Sequence, residues 1–276
     1  FVAQILTIGA AFMLPALMIS LHYKEDRAVY GFLITLGIFA VVIGLLRLIC
    51  RSAPSAFYAR EGLVCVGVSW IVLSVLSCLP FYFSREIPKF IDAFFEIVSG
   101  FTTTGASILP EVESLSWGIL YWRSFSHWLG GMGVLVFLLA FAPGSGKGQG
   151  FTMHLLRAES PGPNVGKLVP KMRKTAVILY ILYLLLTVLN IVFLLIGKMP
   201  FLEAVCTAFG TAGTGGFGVK NDSLAGYSPY IQNVTTVFMT LFGVNFSCYY
   251  LLMLGNFKSV LKDEELRLYV GILLGG

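Results

Sequence analysis

The sequence predicts an all-α membrane protein, an N-terminal helix pair followed by tandem helix–re-entrant loop–helix units. Three observations carry this. Of 276 residues, 57% are hydrophobic and 12% charged, and the mean hydropathy is +0.84, far from an ordinary soluble domain. The charges avoid long windows: no Asp, Glu, Lys or Arg occurs in 1–23, 28–46, 62–84, 124–146 or 175–197, and 221–257 holds only Asp222. Finally, one motif occurs twice at an offset of 111 residues, as Phe90-Ile-Asp-Ala-Phe-Phe-Glu-Ile-Val-Ser-Gly-Phe-Thr-Thr-Thr-Gly-Ala-Ser107 and Phe201-Leu-Glu-Ala-Val-Cys-Thr-Ala-Phe-Gly-Thr-Ala-Gly-Thr-Gly-Gly-Phe-Gly218. The copies align Phe90 with Phe201, Ala93 with Ala204, Thr103 with Thr214 and Gly105 with Gly216, and keep an acid, Asp92 against Glu203.

A bilayer core takes about 20 apolar helical residues to cross. The six windows therefore predict six spans, and Leu268–Leu274 begins a seventh. Spans one (1–22) and two (28–49) pair through the turn His22–Arg27 and make up residues 1–60. Pro15 inside span one is tolerated where neighbouring helices satisfy the freed carbonyl. The first unit, 61–142, comprises span three (61–83), the run 90–100, a Thr/Gly segment and span four (116–141). The run 90–100 is too short to cross and reads as a half-helix leading into a filter-like strand. A connection, 143–174, carries Gly and Pro clusters around the mildly amphipathic Phe151–Ala158. The second unit, 175–257, repeats the plan with span five (175–197), half-helix 200–209, the second Thr/Gly segment and span six (228–254). Residues 258–276 begin a further unit. A chain that starts without Met and stops inside an apolar run reads as a fragment.

The net charge of +5 would suit a nucleic-acid binder, but its placement argues against one. Arg47, Arg51 and Arg60 lie between spans two and three; Lys147, Arg157, Lys167, Lys171, Arg173 and Lys174 between spans four and five; Lys258, Lys262 and Arg267 after span six. The positive-inside rule puts these loops and the N-terminus in the cytoplasm, so both repeated motifs face outward. The first motif's loop holds Glu86, Asp92, Glu96, Glu111 and Glu113 against Arg85 and Lys89, an acid excess suited to an outward cation entrance or simply a solvated loop. Cys50, Cys65, Cys78, Cys206 and Cys248 show no CxxC spacing and read as small hydrophobes. Because both loops face one side, the repeat is parallel, about an axis along the membrane normal. That favours a central pore over two rocking halves.

An alkali cation sheds its water only where oxygens replace it at similar distance, and backbone carbonyls do so without trapping the ion by formal charge. Gly aims a carbonyl from dihedrals closed to other residues, and Thr adds a hydroxyl oxygen. The candidate lining is Thr102, Thr103, Thr104 and Gly105 in the first unit, with Gly213, Thr214, Gly215 and Gly216 in the second. Half-helix C-terminal carbonyls direct negative potential at the same place. Asp92 and Glu203 are expected to cap the half-helix N-termini. Close helix packing through small residues also suits the Thr/Gly runs, but does not explain their duplicated position. Gly213–Gly218 fits G-x-G-x-x-G, yet the dinucleotide fingerprint needs a strand before it and a helix after it; here a half-helix precedes and a polar turn follows.

Asn245, midway along span six, could touch the ion, steady a bend or make an interhelical hydrogen bond, the last being the usual role. Arg123 and His127 could set the entrance field, though anchoring at the membrane interface beside Trp122 and Trp128 is the commoner use of such residues. His22 and His154 have no partners at ligand spacing. Arg157 and Glu159, in Arg157-Ala-Glu-Ser-Pro-Gly-Pro163, could form a surface for a cytoplasmic partner or an ordered turn.

At Ser99-Gly-Phe-Thr-Thr-Thr-Gly-Ala-Ser107 the chain resembles the TrkH/KtrB superfamily of potassium transporters, in its bacterial TrkH branch. The likeness continues through His127-Trp-Leu-Gly-Gly-Met-Gly133, Arg157–Pro163, Thr214-Gly-Gly-Phe217 and Asp263-Glu-Glu-Leu-Arg267. The resemblance implies a K⁺-channel-like fold of four helix–pore loop–helix units around one selectivity filter, of which this chain carries two. It also implies that Gly105 and Gly216 help tell K⁺ from Na⁺, with Thr103, Thr104, Thr214 and Gly215 at the ion sites. A homodimer, each protomer with its own pore, and a cytoplasmic nucleotide-binding regulatory subunit of TrkA type follow from it as well. The expected protein is a multi-pass K⁺ uptake subunit of the bacterial plasma (inner) membrane, with K⁺ as the transported ion, no organic cofactor and no enzymatic chemistry. The alternatives are a secondary transporter of a small solute, a K⁺/Na⁺ symporter and a non-transporting membrane scaffold.

Overall fold

The protein is described by a computed structural model covering residues 2–52, 59–133 and 172–275. The end of predicted span four and residues 143–171 of the connection, Arg157 and Glu159 included, lie outside the described residues.

Long runs of Leu, Ile, Val, Phe and Ala, apolar on every side, form the crossing helices, as expected where lipid and not water surrounds them. Helices α1 (Val2–His22) and α2 (Asp26–Ile49) form the N-terminal hairpin. Span three becomes α3 (Ala59–Ser77) and α4 (Leu79–Phe83), broken at Cys78 where Pro80 enters the first turn of α4. The first half-helix is α5 (Phe90–Phe101), and span four is α6 (Trp117–Met132) within the described residues. The second unit supplies α7 (Met172–Ile196), half-helix α8 (Phe201–Ala212) and the pair α9 (Pro229–Gly243) and α10 (Phe246–Met253). Two helices follow, α11 (Phe257–Leu261) and α12 (Glu264–Gly275). Among the described residues there is no strand. By length and composition four helices can cross a membrane, or five if the bent pair α9–α10 counts as one span.

Two differences from the sequence reading matter. Half-helix α8 runs on to Ala212, because Gly210, Thr211 and Ala212, which look like loop residues, are packed in the interior. Span six is not continuous: α9 and α10 meet at 84° across Val244–Asn245. Asn245 starts α10 by accepting a hydrogen bond from the Ser247 N–H at 2.9 Å, the usual N-cap geometry. The Tyr269 hydroxyl donates to the Thr240 carbonyl and the Tyr249 hydroxyl to the Leu241 carbonyl, satisfying acceptors that the break releases.

The half-helices sit inside the bundle. On α5, Ala93, Glu96, Ile97 and Gly100 face inward while Ile91 and Phe95 face out, a helical-period split. Helix α6 packs on α1, α5 and α8, and so joins the hairpin, the first unit and the second. Its core contacts are aromatic, with Phe125 stacked on Trp128 at 5.3 Å and edge-on to Phe209 of α8 at 5.2 Å. Trp122 and Trp128 are buried and donate to the Ser77 carbonyl and the Thr187 hydroxyl, so they are interior anchors and not the interfacial ones expected.

Candidate functional site

Each half-helix ends in the same way. In α5 the Thr103 N–H donates to the Gly100 carbonyl and the Thr104 N–H to the Ser99 carbonyl; in α8 the Thr214 N–H donates to Thr211 and the Gly215 N–H to Gly210. This pair of bonds is the Schellman cap, which needs a left-handed residue just after the C-cap. That residue is Thr103 at φ 54° and Thr214 at φ 53°. A β-branched residue is a real outlier there, since Gly is the usual occupant. Two residues on, Gly105 at φ 74° and Gly216 at φ 83° turn the chain again. Each segment thus opens with a turn and runs on without regular secondary structure, not as the strand expected, and the two copies share a positive φ at the same two positions of the sequence repeat.

The two loops meet. A Cβ on Gly105 would overlap the Gly215 carbonyl oxygen, so only glycine fits where the first loop crosses the second. Gly105 and Gly216 line one cleft of about 170 Å³, together with Ser107, Arg123, Phe217 and Gly218. Thr102, Thr104 and Thr214 are exposed, Thr103 and Gly215 half-buried, and Gly213 buried against the His127 backbone. The Thr102 hydroxyl donates to the Val98 carbonyl and lies 2.8 Å from that of Thr104. Asn221 ties the loops further, accepting from the Val112 N–H while its own N–H donates to Glu113.

Behind the cleft lies a buried ion pair that the sequence reading assigned otherwise. Glu96 of α5 and Arg123 of α6 are 0% and 3% exposed, with Nε to Oε1 at 2.6 Å. Glu96 also accepts from the Ser107 hydroxyl and the Ile108 N–H, on the segment leaving the first loop. Arg123 donates through Nη1 to the Gly218 carbonyl at 3.0 Å, on the segment leaving the second. Its guanidinium carbon lies 3.6 Å from the Phe217 ring centre, and the His127 ring stacks on Phe217 at 3.9 Å. Both approach the ring centre too closely to share a face, so Phe217 is inserted between Arg123 and His127, one helical turn apart. His127 is fully buried; the Ser99 backbone faces its ring without hydrogen-bond geometry, and neither ring nitrogen has a partner. Arg123 and His127 are therefore interior residues and not interface anchors.

Of the acids counted as an entrance field, Glu86, Glu96 and Glu113 are engaged. Glu86 accepts from the N–H and hydroxyl of Ser116, and Glu25 from the N–H groups of Trp117 and Gly118, so two carboxylates close the N-terminus of α6. Burial raises the Glu86 pKa, the Ser116 bonds opposing it only in part. Asp92 and Glu203 lie in the first turns of α5 and α8, but neither half-helix has a side-chain cap bond, which corrects the capping expectation. Glu203 instead accepts from the Tyr227 hydroxyl at 2.5 Å. Asn245 steadies the bend and donates to Glu265 of α12 at 2.9 Å, combining two of the roles considered for it.

The chain matches the family described as TrkH, cation transport protein, over residues 30–269. It is 34% identical over 267 residues to the Trk system potassium uptake protein TrkG of Escherichia coli strain K12, covering 95% of this chain and 54% of that protein. It is 35% identical over 275 residues to the Trk system potassium uptake protein TrkH of Salmonella typhimurium, covering 98% and 56%. The crystal structure of the potassium transporter TrkH from Vibrio parahaemolyticus superposes with a TM-score of 0.82 at 27% identity, covering 99% of this chain and 55% of that one. The chain spans about half the length of the curated relatives it matches.

Proposed function

The chain belongs to the TrkH family of cation transport proteins, and from that premise we propose that it takes up K⁺ across a membrane as part of a Trk-type system. The observation that supports this most is the pair of matched loops, meeting at Gly105 and Gly215 and lining one cleft. Units 61–142 and 175–257 then supply two of the four sides of a filter. Thr102, Thr103, Thr104 and Gly105 line one side, and Gly213, Thr214, Gly215 and Gly216 the next. Their left-handed turns aim carbonyls inward to replace the water around K⁺. The C-terminal carbonyls of α5 and α8 add negative potential without a fixed charge to hold the ion.

The positive loops set the orientation, with the N-terminus cytoplasmic and the filter loops outward. The setting is the bacterial inner membrane, and the working form is a homodimer with a TrkA-type nucleotide-binding subunit, both as the family resemblance implies. The test is Gly105→Ser in the complete gene product, expressed in cells lacking other K⁺ uptake. Discrimination of K⁺ over Na⁺ should fall in a tracer flux assay, and unchanged discrimination would count against the filter. K⁺ uptake that stops when Na⁺ is withdrawn would instead place the protein among symporters.

A further inference from the structure

We propose that Arg123 is a positioning residue for ion selection, setting the spacing between the two filter loops through its bonds to Glu96, Phe217 and Gly218. The inference rests on the K⁺-filter reading and adds a residue outside the loops themselves. Arg123 stands on α6, one turn before His127, and its planar head meets two separate structures. Nε engages Glu96, which in turn holds Ser107 and Ile108 at the exit of the first loop. Nη1 engages the Gly218 carbonyl at the exit of the second, and the guanidinium face covers Phe217. One side chain therefore fixes the second loop's exit relative to the first, two residues beyond Gly216.

The chemistry calls for arginine and carboxylate together. A lone cation lining this cleft would repel an entering cation, and Glu96 cancels that charge from within hydrogen-bond distance. Lysine keeps the charge but has neither the fork that bonds Oε1 and a carbonyl at once nor a flat face to lie on phenylalanine. Because a Cβ on Gly105 would overlap the Gly215 carbonyl oxygen, a small shift of the second exit displaces the first filter loop with it. K⁺ and Na⁺ differ in the oxygen spacing they prefer, so such a shift changes selection before it changes folding.

The experiment compares wild type, Arg123→Lys, Phe217→Leu and Gly105→Ser in the complete protein, reading K⁺ and Na⁺ flux per molecule at the membrane. Arg123→Lys should lower the K⁺ over Na⁺ ratio about tenfold, with membrane abundance within about twofold of wild type. Phe217→Leu, which keeps the ion pair and most of the apolar volume, should lower the ratio less. Reduced abundance with an unchanged ratio in both variants would show a purely structural role and overturn the proposal. If Arg123→Lys does not reach the membrane, Phe217→Leu decides: a wild-type ratio overturns the proposal, a lowered one sustains it. Failure of the filter reading is seen separately, as a wild type without K⁺ flux or a Gly105→Ser variant with unaltered selection.

Discussion

The Gly105 α-carbon rests against the Gly215 carbonyl so closely that no side chain fits between them. The equivalent glycine of the second loop, Gly216, has nothing within 4 Å of where its Cβ would stand. The first loop is thus pressed into the second, and on the four-unit reading the neighbour of the second loop would be the next unit.

Alanine at Gly105 should therefore cost more than backbone strain alone. Gly216→Ala carries at least the strain of a positive φ, about 1–2 kcal/mol. Gly105→Ala adds an overlap with backbone that cannot rotate away, for a total of roughly 2–5 kcal/mol. Thermal unfolding of purified Gly105→Ala against wild type in detergent checks this, and an unchanged midpoint would contradict the contact.

Thr214→Gly should relieve about 1–2 kcal/mol of left-handed strain and add about 0.5–1 kcal/mol of unfolded-state freedom. The net is a slightly higher unfolding midpoint and, on the proposed filter reading, poorer K⁺ selection as a hydroxyl leaves the lining. Thr103→Gly should gain less, because the Thr103 methyl packs where a Cβ on Gly130 would come within 3.0 Å. Paired stability and flux measurements separate the two effects.

Asn245→Ala removes the cap of α10 and its tie to Glu265, at a cost of about 1 kcal/mol. Hydrogen exchange should rise through Phe246–Met253 and stay unchanged in α9. Asn245→Asp restores the cap while setting a second carboxylate against Glu265, so it should recover only part of the protection.

Glu86 gives a pH dependence of known sign. Burial raises its pKa in the folded protein, so the folded state binds this proton more tightly than the unfolded chain does. Its stabilising contribution is complete below the ordinary carboxylate pKa and is lost as pH rises through the raised value. Unfolding midpoints measured across that window should fall with pH in the wild type and change less in Glu86→Gln.

Much of the architecture was legible because membrane spans and an internal repeat are written in composition and spacing. The window 90–100 gave α5 to within one residue, and the alignment of Thr103 with Thr214 and of Gly105 with Gly216 anticipated paired dihedrals. What escaped depends on contacts distant in sequence. Glu96 reads as one more loop acid until Arg123, 27 residues later, is seen against it. Glu86 reads as a loop acid and Glu25 only as part of the turn His22–Arg27, yet their partners lie at Ser116–Gly118. The break in span six was partly visible: Gly243-Val-Asn-Phe-Ser247 places an N-cap residue two before a serine, a signal hidden by the apolar run around it.

The bonds of Arg123 also impose an order on biosynthesis. Its carboxylate partner precedes it by 27 residues, but the carbonyl it holds follows by 95. At about 5–20 residues per second, the ribosome leaves that second partner unmade for roughly 5–20 seconds after α6 emerges. Only the early arrival of Glu96 lets α6 enter the bilayer as a neutral pair during that interval. Loss of Glu96 should then appear first in newly made chains, as insertion failure and degradation, ahead of any defect in the mature protein.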